Sequence, residues 1–185
     1  SRYKDVFAAS TSADLTSYRN QWGAETGLDV ALYRPVARYE LIAKDVKAFL
    51  NKLATGGLKG ESFTARVKYS DYLPTGYNLM DDVPKNSLMY MEYKVDFERP
   101  ADGTEELKLG FDYVLVSAGE TASIPVELEI LNEKNEVLAR TVLRIPCERG
   151  KNTTVRGNFL TSDVNGGIGI DPGYDGDLEV DLGEL

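Results

Sequence analysis

Apolar and polar residues alternate with a period of two along most of this chain. The clearest case is Ser123–Pro146. Ile124, Val126, Leu128 and Ile130 fall on one face of an extended chain, with Glu127 and Glu129 on the other. After the polar break Asn132–Glu136, a second stripe runs through Val137, Ala139, Thr141, Leu143 and Ile145, opposed by Arg140 and Arg144. Successive side chains of a strand point to opposite faces, so this pattern predicts half-buried sheet. The short, turn-prone break predicts an antiparallel hairpin, with Glu and Arg side chains set for cross-strand charge pairs.

The same period recurs elsewhere. Phe63, Ala65, Val67 and Tyr69 form one stripe, Met89, Met91, Tyr93, Val95 and Phe97 the next, and Leu107, Leu109, Phe111, Tyr113 and Leu115 another. Further strands are predicted at Tyr3–Ser10, anchored by Val6 and Phe7, at Thr153–Leu160, and at Leu178, Val180 and Leu182. Leu28–Ala43 reads as a long extended segment whose apolar parity switches at Pro35. That switch predicts a bulge or a strand changing sheets. Only Asp45–Leu53 follows a helical period, with Val46, Phe49, Leu50 and Leu53 on one face, Asp45 as cap and Gly56-Gly57 as stop. Thr11–Gly27 reads as a connection in which Trp22 packs over a core edge. Ser70–Pro84 reads as an ordered loop packed down by its apolar groups.

Eight or nine strands and one short α-helix, mostly in sequential antiparallel order, predict a mainly β protein, an antiparallel β-sandwich. The 185 residues are expected to form one domain, with an N-terminal strand and loop over 1–27 and a core over 28–185.

Composition then narrows the chemistry. The formal net charge of -9 argues against nucleic acid as a partner and against an anionic membrane surface. No apolar run approaches the ~20 residues of a membrane span, so no direct membrane insertion of this segment is expected. The chain contains no His, which removes the commonest general base and transition-metal ligand. Cys147 is the single cysteine and follows an apolar strand, so it reads as a small hydrophobe rather than a nucleophile. The chain opens Ser1-Arg2-Tyr3-Lys4, without an initiating Met, signal peptide or lipid-attachment Cys. A mature or trimmed fragment is the expectation.

No catalytic residue, cofactor site or metal ligand is assigned from the sequence, and the ligand-binding residues are left unknown. Three features carry candidate chemistry. The acidic run Asp171–Asp181 places carboxylates at alternating positions near glycines, a pattern able to cage Ca²⁺, but its spacing is not that of an EF-hand. Turn chemistry and a solvated strand face explain it as well. Asp81-Asp82 is a weaker case of the same kind. Tyr72 and Tyr77, on the Ser70–Pro84 loop, are the tyrosines to test for ligand contact; the others read as core.

Four segments in order resemble one family. They are Leu32-Tyr-Arg-Pro-Val-Ala-Arg38, Val67-Lys-Tyr-Ser-Asp-Tyr-Leu-Pro-Thr-Gly-Tyr-Asn-Leu79, the run from Arg144 to Thr161, and Ile170-Asp-Pro-Gly-Tyr-Asp-Gly-Asp177, preceded by Asp5-Val-Phe-Ala-Ala9. Together they resemble the fimbrillin-like proteins of Bacteroidales, the type V pilin group. The resemblance implies a Greek-key or transthyretin-like sandwich and no enzyme activity. It implies a cell-surface, outer-membrane location with a lipid anchor upstream, and a role as an adhesin or fimbrial subunit. It further implies partners among other fimbrial subunits, by strand exchange, or among host and bacterial surface ligands. From the residues themselves, the alternative expectation is a carbohydrate-binding or calcium-dependent ligand module.

Overall fold

A computed structural model describes residues 5–162. Nine strands and one α-helix follow in the order β1 (Val36–Ala43), α1 (Val46–Ala54), β2 (Ser62–Tyr69), β3 (Leu73–Asn78), β4 (Val83–Leu88), β5 (Glu92–Glu98), β6 (Leu107–Leu115), β7 (Thr121–Asn132), β8 (Val137–Glu148) and β9 (Asn152–Gly157). A four-stranded antiparallel sheet has the order β5-β2-β7-β8, and a three-stranded sheet the order β6-β1-β9. The two sheets share one core: Tyr39 and Leu41 of β1 pack with Phe63, Ala65 and Val67 of β2 and with Leu128 and Ile130 of β7. The fold is a mainly β sandwich, as the alternation predicts.

The predicted hairpin is present as β7–β8, with Ile124 opposite Ile145 and Glu129 opposite Arg140. Asn135, at φ 61, supplies the left-handed residue its turn needs. Its outer face carries the expected charge pairs and extends them to β2. Arg140 reaches Glu127 at 2.6 Å, Arg66 reaches Glu129 at 2.5 Å, and Lys68 touches both glutamates. The outer face of the other sheet is similarly paired, with Glu40 between Arg38 and Lys108. Each large apolar side chain on the inner faces contributes ~1.5–3 kcal/mol by burial. The paired outer faces keep both sheets compatible with water.

Several expectations change. β9 runs parallel to β1, so the sandwich is not antiparallel throughout. Leu28–Ala43 is not one strand: β1 begins at Val36, and the parity change at Pro35 marks where sheet begins. The bulge lies instead in β6, opposite Leu41 and Ile42 of β1. There Leu41 pairs with Gly110 and Ile42 with Lys108, leaving Leu109 as the extra residue. That single insertion reverses the facing of β6. Asp112, Val114 and Val116 turn into the core, while Phe111, Tyr113 and Leu115 become half-buried on the other side. Gly110 sits at the bulge because a Cβ there would meet the Tyr93 ring at 3.0 Å.

Tyr3–Ser10 does not form a strand among the described residues. Val6 and Phe7 are exposed, and the segment makes one isolated bridge, Ala8 with Tyr33. Trp22 covers no core edge; it is 99% exposed. The loop Ser70–Pro84 is mostly the hairpin β3–β4, with Leu79 and Met80 exposed at its turn. Met89 lies outside β5 and is exposed.

Helix α1 ends as predicted, at Gly56 with φ 73. Its cap differs: the Asp45 side chain makes no bond to the helix. The carboxylate is buried and accepts hydrogen bonds from the backbone N–H groups of Leu160 and Thr161 and from the Thr161 hydroxyl. Asp45 therefore fastens the chain beyond β9 to the start of the helix.

Candidate interaction surface

Exposed apolar side chains are concentrated away from the two charged sheet faces. One group lies on the segment before β1: Leu28, Val30 and Leu32 are 56%, 49% and 63% exposed. The second lies on the β3–β4 hairpin and the link to β5, where Tyr72, Met80, Leu88 and Tyr90 are exposed. The stretch Leu28–Leu32 keeps the alternation of a strand, yet none of the strands among the described residues pairs with it. Its apolar stripe faces water.

An apolar groove of about 390 Å³ lies between the N-terminal segment and the β3–β4 hairpin, lined by Val6, Val36, Leu73, Tyr77, Tyr113 and Leu115. The β6 bulge contributes directly, since it turns Tyr113 and Leu115 outward toward the hairpin. The N-terminal segment is held by the Ala8–Tyr33 bridge and by Arg34, which bonds Asp5 and stacks over Phe7.

A polar clamp joins three pieces of chain beside this groove. Arg149, in the β8–β9 turn, donates to Asp82 and to the Tyr77 hydroxyl of the hairpin, and its guanidinium lies 4.6 Å over the Tyr33 ring. Tyr77 donates in turn to Asp82 at 2.7 Å. Asp82 has a left-handed backbone, φ 55, held by these contacts. Hydrogen bonding by Tyr33, Arg149 and Tyr77 lowers the Asp82 pKa to about 2. Tyr77 rises to about 12, through burial first and Asp82 second.

The candidate residues take different places in the fold. Tyr77 is structural, bound into the clamp, whereas Tyr72 is open to solvent. Asp82 faces Arg149, and Asp81 bonds Asn78 and lies near Lys85, so both carboxylates of the pair have protein partners. The Asp171–Asp181 run and the strand predicted at Leu178–Leu182 lie outside the described residues. Cys147 is buried, and burial pushes its thiol up to about 12, as fits a small core residue.

Sequence reasoning missed a buried polar network. Tyr69 donates to Asp112 at 2.7 Å, and Tyr39 and Tyr69 share a hydrogen bond at 2.8 Å, with Tyr93 alongside. Burial holds all three phenols well above the ordinary tyrosine value. Asp112 read as an outward polar residue because the bulge at Leu109 has no sequence signature beyond the adjacent Gly110.

Residues 1–183 match the model of a family of unknown function, DUF6562. The chain belongs to this family. No curated protein matches it. Among solved structures, a “putative cell adhesion protein” from Bacteroides ovatus ATCC 8483 is similar at a TM-score of 0.35 and 14% identity. That likeness covers 69% of this chain and 40% of the other, so the chain spans well under half of that protein's length. Among the described residues of this DUF6562 member, no helix is long and apolar enough to cross a membrane.

Proposed function

We propose that this DUF6562 chain is a non-enzymatic surface adhesin or fimbrial subunit that engages partners through backbone pairing at its N-terminal segment. The observation that carries this reading is the stretch Leu28–Leu32, strand-patterned but outside any strand, with its apolar stripe exposed. Such a segment is completed by a strand from another molecule: backbone hydrogen bonds supply affinity, and alternate side chains fill pockets. The apolar groove lined by Val6, Val36 and Leu73 is a further uncovered apolar surface of the chain. Three large apolar side chains left in water on one short segment are the kind of surface that partners cover.

The resemblance to fimbrillin-like proteins supports the same reading, with export to the cell surface and attachment upstream of this segment. Its partners are then other subunits, by strand exchange, or ligands on host or bacterial surfaces. The absence of His from the sequence and the sealed Cys147 thiol support a role without catalysis.

The test is sedimentation of the full chain at rising concentration, with hydrogen exchange of amides 28–32. Assembly with protection of these amides, lost in Val30→Pro while the thermal midpoint holds, is the expected result. A monomer at every concentration with fast exchange at 28–32 overturns the self-assembly reading.

A further inference from the structure

A second surface feature is independent of strand pairing. Tyr90 lies between β4 and β5 with φ 60 and is 87% exposed. A bulky residue in the left-handed region is strained, and such strain is retained where a side chain has to be aimed. Its mount is rigid, because the next residue, Met91, accepts a hydrogen bond from the Tyr69 backbone at 2.9 Å. Tyr90 borders a cleft of about 330 Å³ whose other walls include Lys68, Ser70, Glu92 and Glu127. That volume falls within the ~300–1,000 Å³ of small-molecule sites. Pairing of Leu73 with Leu88 brings exposed Tyr72 to the same end of the hairpin.

The polar walls are fixed in advance. Lys68 donates to Glu127 at 3.1 Å and lies 2.9 Å from Glu129, so ammonium and carboxylate already stand side by side. Burial works against ionisation of Glu127, but hydrogen bonds from Arg140 and Lys68 outweigh it and keep the group charged. An aromatic face beside a fixed donor and a fixed acceptor matches a ligand with an apolar C–H face and adjacent hydroxyls. The net charge of -9 disfavours polyanions.

We propose that the cleft between Tyr90 and the Lys68–Glu127 pair binds a pyranose unit of a neutral oligosaccharide, stacked on the Tyr90 ring. The site does not depend on assembly, so it survives in a monomer.

The test titrates the full chain against gluco-, manno-, galacto- and xylo-oligosaccharides, with sulfated glycans as controls, comparing Tyr90→Gly and Tyr90→Phe. Glycine adopts φ 60 without strain, so Tyr90→Gly removes the ring while leaving the fold at least as stable. The expected result is binding of at least one neutral series, weakened about tenfold or more in Tyr90→Gly. Tyr90→Phe is expected to retain it, and the thermal midpoint is expected not to fall. Absence of binding to all four neutral series, binding confined to sulfated glycans, or equal binding by Tyr90→Gly overturns the proposal.

Discussion

Arg149 donates from one nitrogen to both carboxylate oxygens of Asp82, each at 2.8 Å, across 67 positions of sequence. With Tyr33 and Tyr77 around it, this pair fastens the N-terminal segment, the β3–β4 hairpin and the β8–β9 turn to one another. Tyr77, which lines the apolar groove, is thereby held by a polar contact, and that contact depends on the charge of one carboxylate.

That charge sets a pH dependence. The folded Asp82 pKa is about 2, against an ordinary value of 3.8, so the unfolded chain binds this proton more readily. The stabilisation is fully present above pH 3.8 and is lost as pH falls toward 2. Asp82 is 38% exposed, so solvent screening reduces the contribution to about 1 kcal/mol. In thermal melts followed by circular dichroism, Asp82→Asn is expected to lose less stability than the wild type between pH 5 and pH 2. Parallel losses in the two proteins would show that the clamp carries no linkage.

The Asp45 carboxylate makes a second long-range fastening, accepting from Leu160 and Thr161. Asp45→Ala would leave N–H groups of this partly buried turn without an acceptor and is expected to cost roughly 2–3 kcal/mol in urea unfolding. Asp45→Asn keeps one acceptor oxygen and is expected to cost about half as much. Equal, small losses would mean that the chain after β9 is held by packing of Phe159 and Leu160 instead.

Tyr69→Phe removes the donor to Asp112 and the link to Tyr39 in the core. A loss of roughly 1–3 kcal/mol is expected. Tyr39→Phe and the double variant then measure the coupling. An interaction energy above about 0.5 kcal/mol indicates a cooperative network, whereas strict additivity indicates separate bonds.

Most of the sandwich was legible in the sequence because a sheet with one buried face writes its facing into alternate residues. Val126 to Ile130 and Phe63 to Tyr69 show this directly. Where legibility failed, the cause was one residue or one missing partner. Leu109 is a single insertion, and it sends Asp112 inward while the Phe111, Tyr113 and Leu115 stripe turns outward. Leu28, Val30 and Leu32 carry a strand pattern, but alternation reports the capacity to pair and leaves the partner unspecified. The Asp82–Arg149 clamp is half visible: the Asp81-Asp82 pair stands out as acidic, but its cation lies 67 positions away, beyond any local pattern.

Trp22 gives a direct optical test of the proposed assembly. It is the single tryptophan in the chain, and it is 99% exposed in a segment that contributes little to the core. In the free chain its emission is expected to match that of a free indole, with full quenching by iodide. Trp22→Ser is expected to shift stability by less than about 0.5 kcal/mol, since no buried contact is lost. Residues 28–32 follow within a few positions, so strand pairing there would bring a second molecule close to the indole. A blue shift and reduced quenching on assembly, absent in Val30→Pro, are the expected signals. Emission that is already blue-shifted and protected in dilute monomer would mean that Trp22 is covered within its own chain, and the open N-terminal segment would lose its basis.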